Sequence, residues 1–393
     1  MNRLVITDKA NCTGCGACQN ICPCDAISMQ WDEEGFPYPL INERCIDCGQ
    51  CIQVCPLINP LPTYGESLED ATVYAAWSND EERRIQSTSG GLFSELALSV
   101  YETGGVVVGA VYDEAFMIHH MVSERAEDLG RLRQSKYAQS DIRLVFREIK
   151  QFLAQDRSVL FCGTPCQAAG LRAYLGGVPE KLLLCDFICR GINSPKAYAA
   201  YLKMLEQRHG AKVVKVQFKN KDKGWNQFHT KVTFGNGSVH HQDRNTDPFM
   251  QAYLRYNLVI RPCCHICKFK EDHRNVDLSL GDFWGVGKHA SELDENKGTS
   301  VVLANTKKGK RAVEALDARV TSRVMSIEQV YGGNICLRQS VVAGNNRGRF
   351  LAELDQAGFK KAMQRYGRPP FITHCFSLVK QAAKKVCCWI GKS

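Results

Sequence analysis

Nothing in this 393-residue chain reads as a membrane span or an export signal. No apolar run approaches the ~18 residues needed to cross a bilayer. Only Leu4, Val5 and Ile6 separate Arg3 from Thr7, too few for the hydrophobic core of a secretory signal. The expected setting is therefore cytoplasmic, and there 20 cysteines do not make a disulfide framework. Nucleotide fingerprints are missing too. No Gly-x-Gly-x-x-Gly lies between a strand and a helix, Gly285-Val286-Gly287 lacks the third glycine, and there is no Walker A loop. A conventional NAD(P) or ATP enzyme is disfavoured. Aromatic and basic residues are not interleaved as base stacking requires, so nucleic acid is not an expected partner. His119-His120, His229 and His240-His241 show no ligand spacing and read as solvated side chains.

Positive charge is scarce at one end only. Met1 to Pro62 holds three basic and seven acidic residues, a balance of −4 in a chain of net +9, so the remainder carries +13. From Asn346 onward ten basic residues face two acids. A basic body suits phosphate-bearing cofactors, acidic substrates or an acidic partner.

What the chain has is thiols in patterns. Cys12-x2-Cys15-x2-Cys18-x3-Cys22-Pro23 recurs as Cys45-x2-Cys48-x2-Cys51-x3-Cys55-Pro56. This is the run of bacterial ferredoxins with two [4Fe-4S] clusters; a zinc ribbon needs only two Cys-x2-Cys pairs. The fourth cysteine of each run crosses over in such modules. One cluster thus takes Cys12, Cys15, Cys18 and Cys55, and the other takes Cys45, Cys48, Cys51 and Cys22. Gly14, Gly16 and Gly49 let the backbone wrap closely. Between the runs a strand, a turn at Glu34-Gly35 and a second strand are predicted. Cys24 falls outside the pattern and reads as a bystander.

The chain divides into an α+β ferredoxin-like domain (1–60), a Pro/Gly linker (61–70), a body (71–340) and a basic C-terminal extension (341–393). In the body, "ATVYAAW", "VVVGAVYD", "RSVLFCG" and "KLLLCDF" read as strands. "SGGLFSELALSVYETG", "IRLVFREIKQFL" and the residues after "GTP" read as helices. The alternation predicts an α/β fold with partly parallel pairing. "KVVKVQF", "FHTKVTF" and "SVHH" predict a small antiparallel subdomain. "VDLSLGDFW" and "TSVVLANT" return to strand, before a helix near 308–318.

Three further thiol groups stand in the body: Cys162 with Cys166, Cys185 with Cys189, and Cys263 with Cys264 and Cys267. A third metal centre is expected from them, needing thiolates from more than one group. Cys166 follows Pro165 at a helix start, whereas Cys162 ends an apolar strand. Cys189 lies at a strand end, whereas Cys185 lies inside one. The residues alone leave the choice within each group open.

Six segments occur in order: "SGG" at Ser89–Gly91, "SKYAQS" at 135–140, "GTPCQ" at 163–167, "FICRGINSP" at 187–195, Cys264-x2-Cys267, and "DLSLGDFWG" at 277–285. This series resembles the beta-subunit family of coenzyme F420-reducing hydrogenases and dehydrogenases, over about Val73 to Gly287. The resemblance implies an α/β flavin-binding catalytic domain with FAD, a [4Fe-4S] cluster and, in archaeal members, the deazaflavin coenzyme F420. By position it implies Cys166, Cys189, Cys264 and Cys267 as cluster ligands. It also implies Ser89, Gly90, Gly91, Lys136 and Tyr137 as flavin-binding residues, with Asp282 and Trp284 structural or cofactor-lining. The thiols at Cys162, Cys185 and Cys263 depart from the pattern.

Chemistry points the same way. Clusters carry single electrons, organic partners exchange hydride, and a flavin converts between them. Ser-Gly-Gly before a helix offers amides to phosphate. The expected function is an FAD- and [4Fe-4S]-dependent oxidoreductase acting on a small molecule or deazaflavin, with an electron-carrying partner protein. The alternative is an electron-transfer subunit docking on a larger hydrogenase or dehydrogenase. No general acid emerges. In the tail, Lys380, Lys384 and Lys385 beside Val386, Trp389 and Ile390 predict a peripheral segment able to touch a partner or an anionic membrane.

Overall fold

The computed structural model describes residues 2–367, so the tail from 380 to 390 lies outside the described residues. The N-terminal module is an internal duplication. Each cysteine run ends in a short helix, Ala17–Ile21 and Gln50–Gln53. Each helix starts from a left-handed glycine, Gly16 at φ 77° and Gly49 at φ 76°. Other residues reach that conformation only with strain, so the glycines follow from the wrap of the backbone. Strands β1 (Ile27–Trp31) and β2 (Pro37–Ile41) pair antiparallel between them, turning at Gly35.

Chain 62–70 lies on the body. Arg172 donates to the Pro62 carbonyl, Tyr64 donates to Asp277 at 2.7 Å, and Leu68 is fully buried. Next come β3 (Thr72–Ser78), β4 (Val106–Tyr112), β5 (Ile118–Ser123), β6 (Val159–Gly163) and β7 (Leu182–Phe187). Strands β8 (Val213–Asn220), β9 (His229–Phe234) and β10 (Val239–Asp243) form the predicted antiparallel sheet, in order β10-β9-β8. Strands β11 (Leu278–Asp282), β12 (Ser300–Ala304) and β13 (Val320–Met325) complete an eight-stranded sheet of order β13-β3-β12-β11-β7-β6-β4-β5. Its centre, β4-β6-β7-β11, is parallel, and antiparallel strands flank it on both sides. Central strands such as β12 are buried along their whole length, as strands covered on both faces must be. The fold is mixed α/β, with a dicluster module in front.

Helix Arg347–Tyr366, bent at Gly358, falls in the segment expected to be a basic extension. Its Phe350, Leu351, Leu354 and Phe359 nevertheless pack with Tyr201, Phe249 and the antiparallel sheet in one apolar cluster. The basic residues occupy the other face. Composition registered the charge, while the apolar stripe carries the packing. Among the described residues no helix is long and apolar enough to cross a membrane.

Candidate functional site

In an open parallel sheet, ligand groups collect beyond the carboxyl ends of the strands. Cys166 follows β6, Cys189 follows β7, and Asp282 and Trp284 end or follow β11. The turn after β6 is tightly specified. Thr164 caps helix Pro165–Leu175 through a capping box, placing Cys166 in the first turn, where amides and the helix dipole favour a thiolate.

The thiols gather in sets. Cys18 is buried against Cys15, Cys12 and Cys55, and burial together with those neighbours holds its pKa well above the ordinary thiol value. Burial pushes Cys15 up to about 12. Cys166 is raised by burial and by Cys189, Cys264 and Cys267. Cys189 is pushed up to about 12 by burial, with Cys264 and Cys267 adding to it. Four sheltered thiols that oppose one another's ionisation suit a set that ionises only around a cationic metal core. Peptide amides are already aimed at sulfur: Gly14 N–H at Cys12 (3.4 Å), Leu4 at Cys51 (3.4 Å), Ala26 at Cys22 (3.2 Å) and Ile192 at Cys264 (3.4 Å). Such N–H···S bonds stabilise cluster thiolates and adjust potential. Among the described residues no three His, Cys, Asp or Glu side chains converge tightly enough for a single ion. The thiols instead surround small cavities, about 20 Å³ beside Cys12, Cys15, Cys18 and Cys55, and about 80 Å³ beside Cys166, Cys189, Cys264 and Cys267. Cys263 lines the second cavity too, but sits beside Cys264 and faces Arg261. Cys162 and Cys185 sit opposite each other on β6 and β7, away from the set. Cys24 lies 3.8 Å from Cys22, sulfur to sulfur.

A larger cavity of about 430 Å³ opens on the other side of Cys166 and Cys189. Ser89, Gly91, Lys136 and Tyr137 line it; Gly90 lies behind them. Gly90 donates to Ser300 Oγ (2.9 Å), and a Cβ there would come 2.3 Å from the Ala76 carbonyl, so only glycine fits. Ser89 is not the helix cap: its hydroxyl donates to the Thr299 carbonyl at 2.8 Å. Gly91, at φ 96°, starts helix Leu92–Glu102 with no side-chain cap, which leaves first-turn amides available to an anion. Lys136 is half-buried, and its ammonium donates to the carbonyls of Arg131, Leu132, Arg133 and Gln134. Burial lowers its pKa to about 7. It stitches the turn that carries Tyr137.

Two histidine pairs differ from the solvated reading. His240 is buried and bonded to Asp247 (3.0 Å). His120 is 2% exposed, stacks on Phe161 at 5.5 Å, and has no partner at either ring nitrogen. It lines the large cavity, and burial drops its pKa to about 3, so it is a neutral imidazole. Asn193 Oδ1 and Asn334 Nδ2 are also buried, unpartnered and on this wall. Cys336 lines it as well, beside Tyr253. Of these four only Asn193 falls in a sequence motif, "FICRGINSP"; the others are single residues brought in by the fold. The orphaned donors and acceptors fit a polar, planar ligand such as a flavin ring, and the volume lies in the ordinary range for such sites.

Residues 156–329 match the family described as the C-terminal part of the coenzyme F420 hydrogenase/dehydrogenase beta subunit, and residues 11–57 match the 4Fe-4S dicluster domain. Residues 156–329 thus carry the C-terminal domain of that beta-subunit family, with a dicluster domain in front. It is similar to an F(420)H(2) dehydrogenase subunit of Methanosarcina mazei, 25% identical over 288 residues, covering 69% of this chain and 75% of that protein. It also resembles a chain of the F420-reducing [NiFe] hydrogenase complex from Methanosarcina barkeri. That match has 19% identity over 78% of this chain and 94% of the other, with a TM-score of 0.47.

Proposed function

We propose that this beta-subunit-family protein is an iron–sulfur flavoprotein oxidoreductase. Its clusters exchange single electrons with a protein partner, and its flavin exchanges hydride with an organic substrate or a deazaflavin. One observation carries the reading. Cys166 and Cys189 line both the small thiol cavity, which Asn11, Thr13 and Leu57 of the dicluster domain also touch, and the 430 Å³ cavity. A third [4Fe-4S] cluster on Cys166, Cys189, Cys264 and Cys267 would stand between the ferredoxin clusters and a flavin. FAD bound in the large cavity would supply the step from one electron to two. The uncapped start of Leu92–Glu102 supports its phosphate, Gly91 allows close approach while Gly90 lets the turn pack on Ala76, and Lys136 fixes the turn that presents Tyr137. Arg190 closes the wall by donating to the carbonyls of Tyr253 and Leu254 and to Asn257. Anaerobic protein is expected to release one flavin per chain on denaturation. Iron-replete, folded protein without flavin would sink the reading.

A second reading rests on the name of the Methanosarcina mazei relative, which is one subunit of a dehydrogenase. Here the protein is the electron-transfer subunit of a larger enzyme. Reduction of the isolated, flavin-loaded protein by reduced deazaflavin, with no organic acceptor used without a partner, would favour it.

A further inference from the structure

Five cationic side chains line the large cavity: Arg133, Lys136, Arg190, Lys219 and Arg244. Four have partners. Arg133 bonds to Gln86, Lys136 and Arg190 bond to carbonyls, and Lys219 forms an ion pair with Asp282. Among the described residues Arg244 has neither a hydrogen bond nor an ion pair. It is not loose, however. Its guanidinium lies 4.7 Å from the Phe228 ring centre and 5.5 Å from that of Trp284. Trp284 is itself braced, stacked on Trp225 at 4.7 Å and 6°. The indole N–H of Trp225 donates to Asp282 (3.0 Å), the same carboxylate that Lys219 uses. Lys221, just beyond, spends its ammonium on the carbonyls of Arg84, Ser89 and Lys297. One carboxylate thus serves a corner holding three cations. Arg244 and Lys219 each oppose the other's charge, and Arg244 also faces the Tyr137 hydroxyl.

Lys219 lies on β8, Phe228 just before β9, and Arg244 just after β10. The small antiparallel sheet therefore delivers uncompensated positive charge and an aromatic shelf to one side of the cavity. An arginine seated over rings, with its donors unused, matches a carboxylate or phosphate through two parallel N–H···O bonds. We propose that the antiparallel sheet is the anion-recognition element of the site. In this role Arg244, braced with Lys219 over Phe228 and Trp284, binds an oxyanion. This rests on reading the cavity as a ligand site. The oxyanion belongs either to the organic reactant or to the phosphates of the flavin itself.

The test uses the full chain, purified anaerobically, and calorimetric titration with naphthalene-2-carboxylate and with its neutral isostere naphthalene-2-carboxamide. Flavin and iron content are measured alongside. Wild type is expected to prefer the acid. Arg244→Gln is expected to weaken acid binding about tenfold or more, leaving the amide unchanged, since a charge-assisted pair is lost. Arg244→Lys restores part of the preference. Unchanged flavin in Arg244→Gln assigns the oxyanion to the reactant; flavin lost and regained only at high added FAD assigns it to the flavin phosphates. Iron content equal to wild type shows that the variant is folded. Equal affinity for acid and amide in wild type, with flavin unaffected by Arg244→Gln, overturns the proposal. Flavin-free protein that still prefers the acid through Arg244 would sink the flavin reading and leave this one standing.

Discussion

The two kinds of cysteine set in this molecule are built in opposite ways. The ferredoxin thiols come from runs of eleven residues each, wrapped by local turns, with Cys55 of the second run lying beside Cys12, Cys15 and Cys18 of the first. The set in the body draws Cys166, Cys189 and the Cys264–Cys267 pair from three separate places, two of them at the ends of neighbouring parallel strands. A local run holds its thiols together through short loops, so their approach costs little chain entropy. A scattered set exists only once the sheet has formed. Assembly of the second kind of site is therefore tied to the global fold, and that of the first is not.

The largest test of this contrast is removal of ligands. Intact protein should hold about twelve irons, four for each of three clusters. Cys166→Ser, Cys189→Ser or Cys267→Ser should lower the count to about eight with the ferredoxin electron-resonance signals retained. Cys162→Ser, Cys185→Ser and Cys263→Ser should leave it unchanged. The opposite pattern would reassign the third set.

Next comes Arg261, which joins the two regions. It is fully buried and donates to the carbonyls of Cys12 (3.0 Å) and Pro37 (3.0 Å) and to Gln139 (2.8 Å). Among the described residues it has no carboxylate partner, and the thiols of Cys263, Cys12 and Cys264 help to hold its pKa above the ordinary value. Arg261→Gln removes the positive charge between the sets. It should lower the reduction potential of the cluster on Cys12 and cost on the order of 3 kcal/mol, read by potentiometry and thermal melting. Unchanged potentials would show that Arg261 serves packing alone.

A smaller effect is expected at the hairpin tip. Arg347 grips Glu34 in a bidentate pair, 2.8 and 2.6 Å, both half-sheltered. Ser194 also donates to the Glu34 carbonyl. Arg347→Ala should cost about 2 kcal/mol and increase proteolysis in 57–70, while iron stays constant. Loss of iron would show that docking and cluster assembly are one event.

The smallest effect is a pH slope. Buried His120 stays neutral in the folded protein, whereas the unfolded chain takes up a proton below about 6.5. Stability is therefore full above that pH and falls as pH drops toward 3. Between pH 7.5 and 5.5 this residue should contribute a loss of about 1 kcal/mol, absent in His120→Gln. Identical slopes in the two proteins would place water or solvent at that ring.

The contrast also explains what could be read in advance. Contiguous spacing made the ferredoxin motif plain, and near-continuous apolar runs gave β3, β4, β6, β7, β11 and β12. The antiparallel sheet followed from three short alternating segments. Strand β5 hid because its His119-His120 pair breaks the apolar pattern, and the same pair concealed the buried imidazole. The helix Pro195–His209 and the apolar stripe of Arg347–Tyr366 were masked by polar and basic neighbours. Arg244 and Asn334 carry no signal at all in one dimension. What distinguishes them is the absence of a partner, and that becomes visible only when every neighbour has been placed.

Helix Pro165–Leu175 bears Cys166 in its first turn and presents Gly170, about 6 Å farther along its axis, to the ferredoxin module. A methyl at Gly170 would lie 2.9 Å from Cys15 Sγ. A helical turn does not stretch, so the spacing between a body thiol and a ferredoxin thiol is fixed by backbone geometry. Carriers that swing on a tether slow down as the solvent thickens. Here, added glycerol should leave passage between those two sets at its original rate, because no limb has to travel.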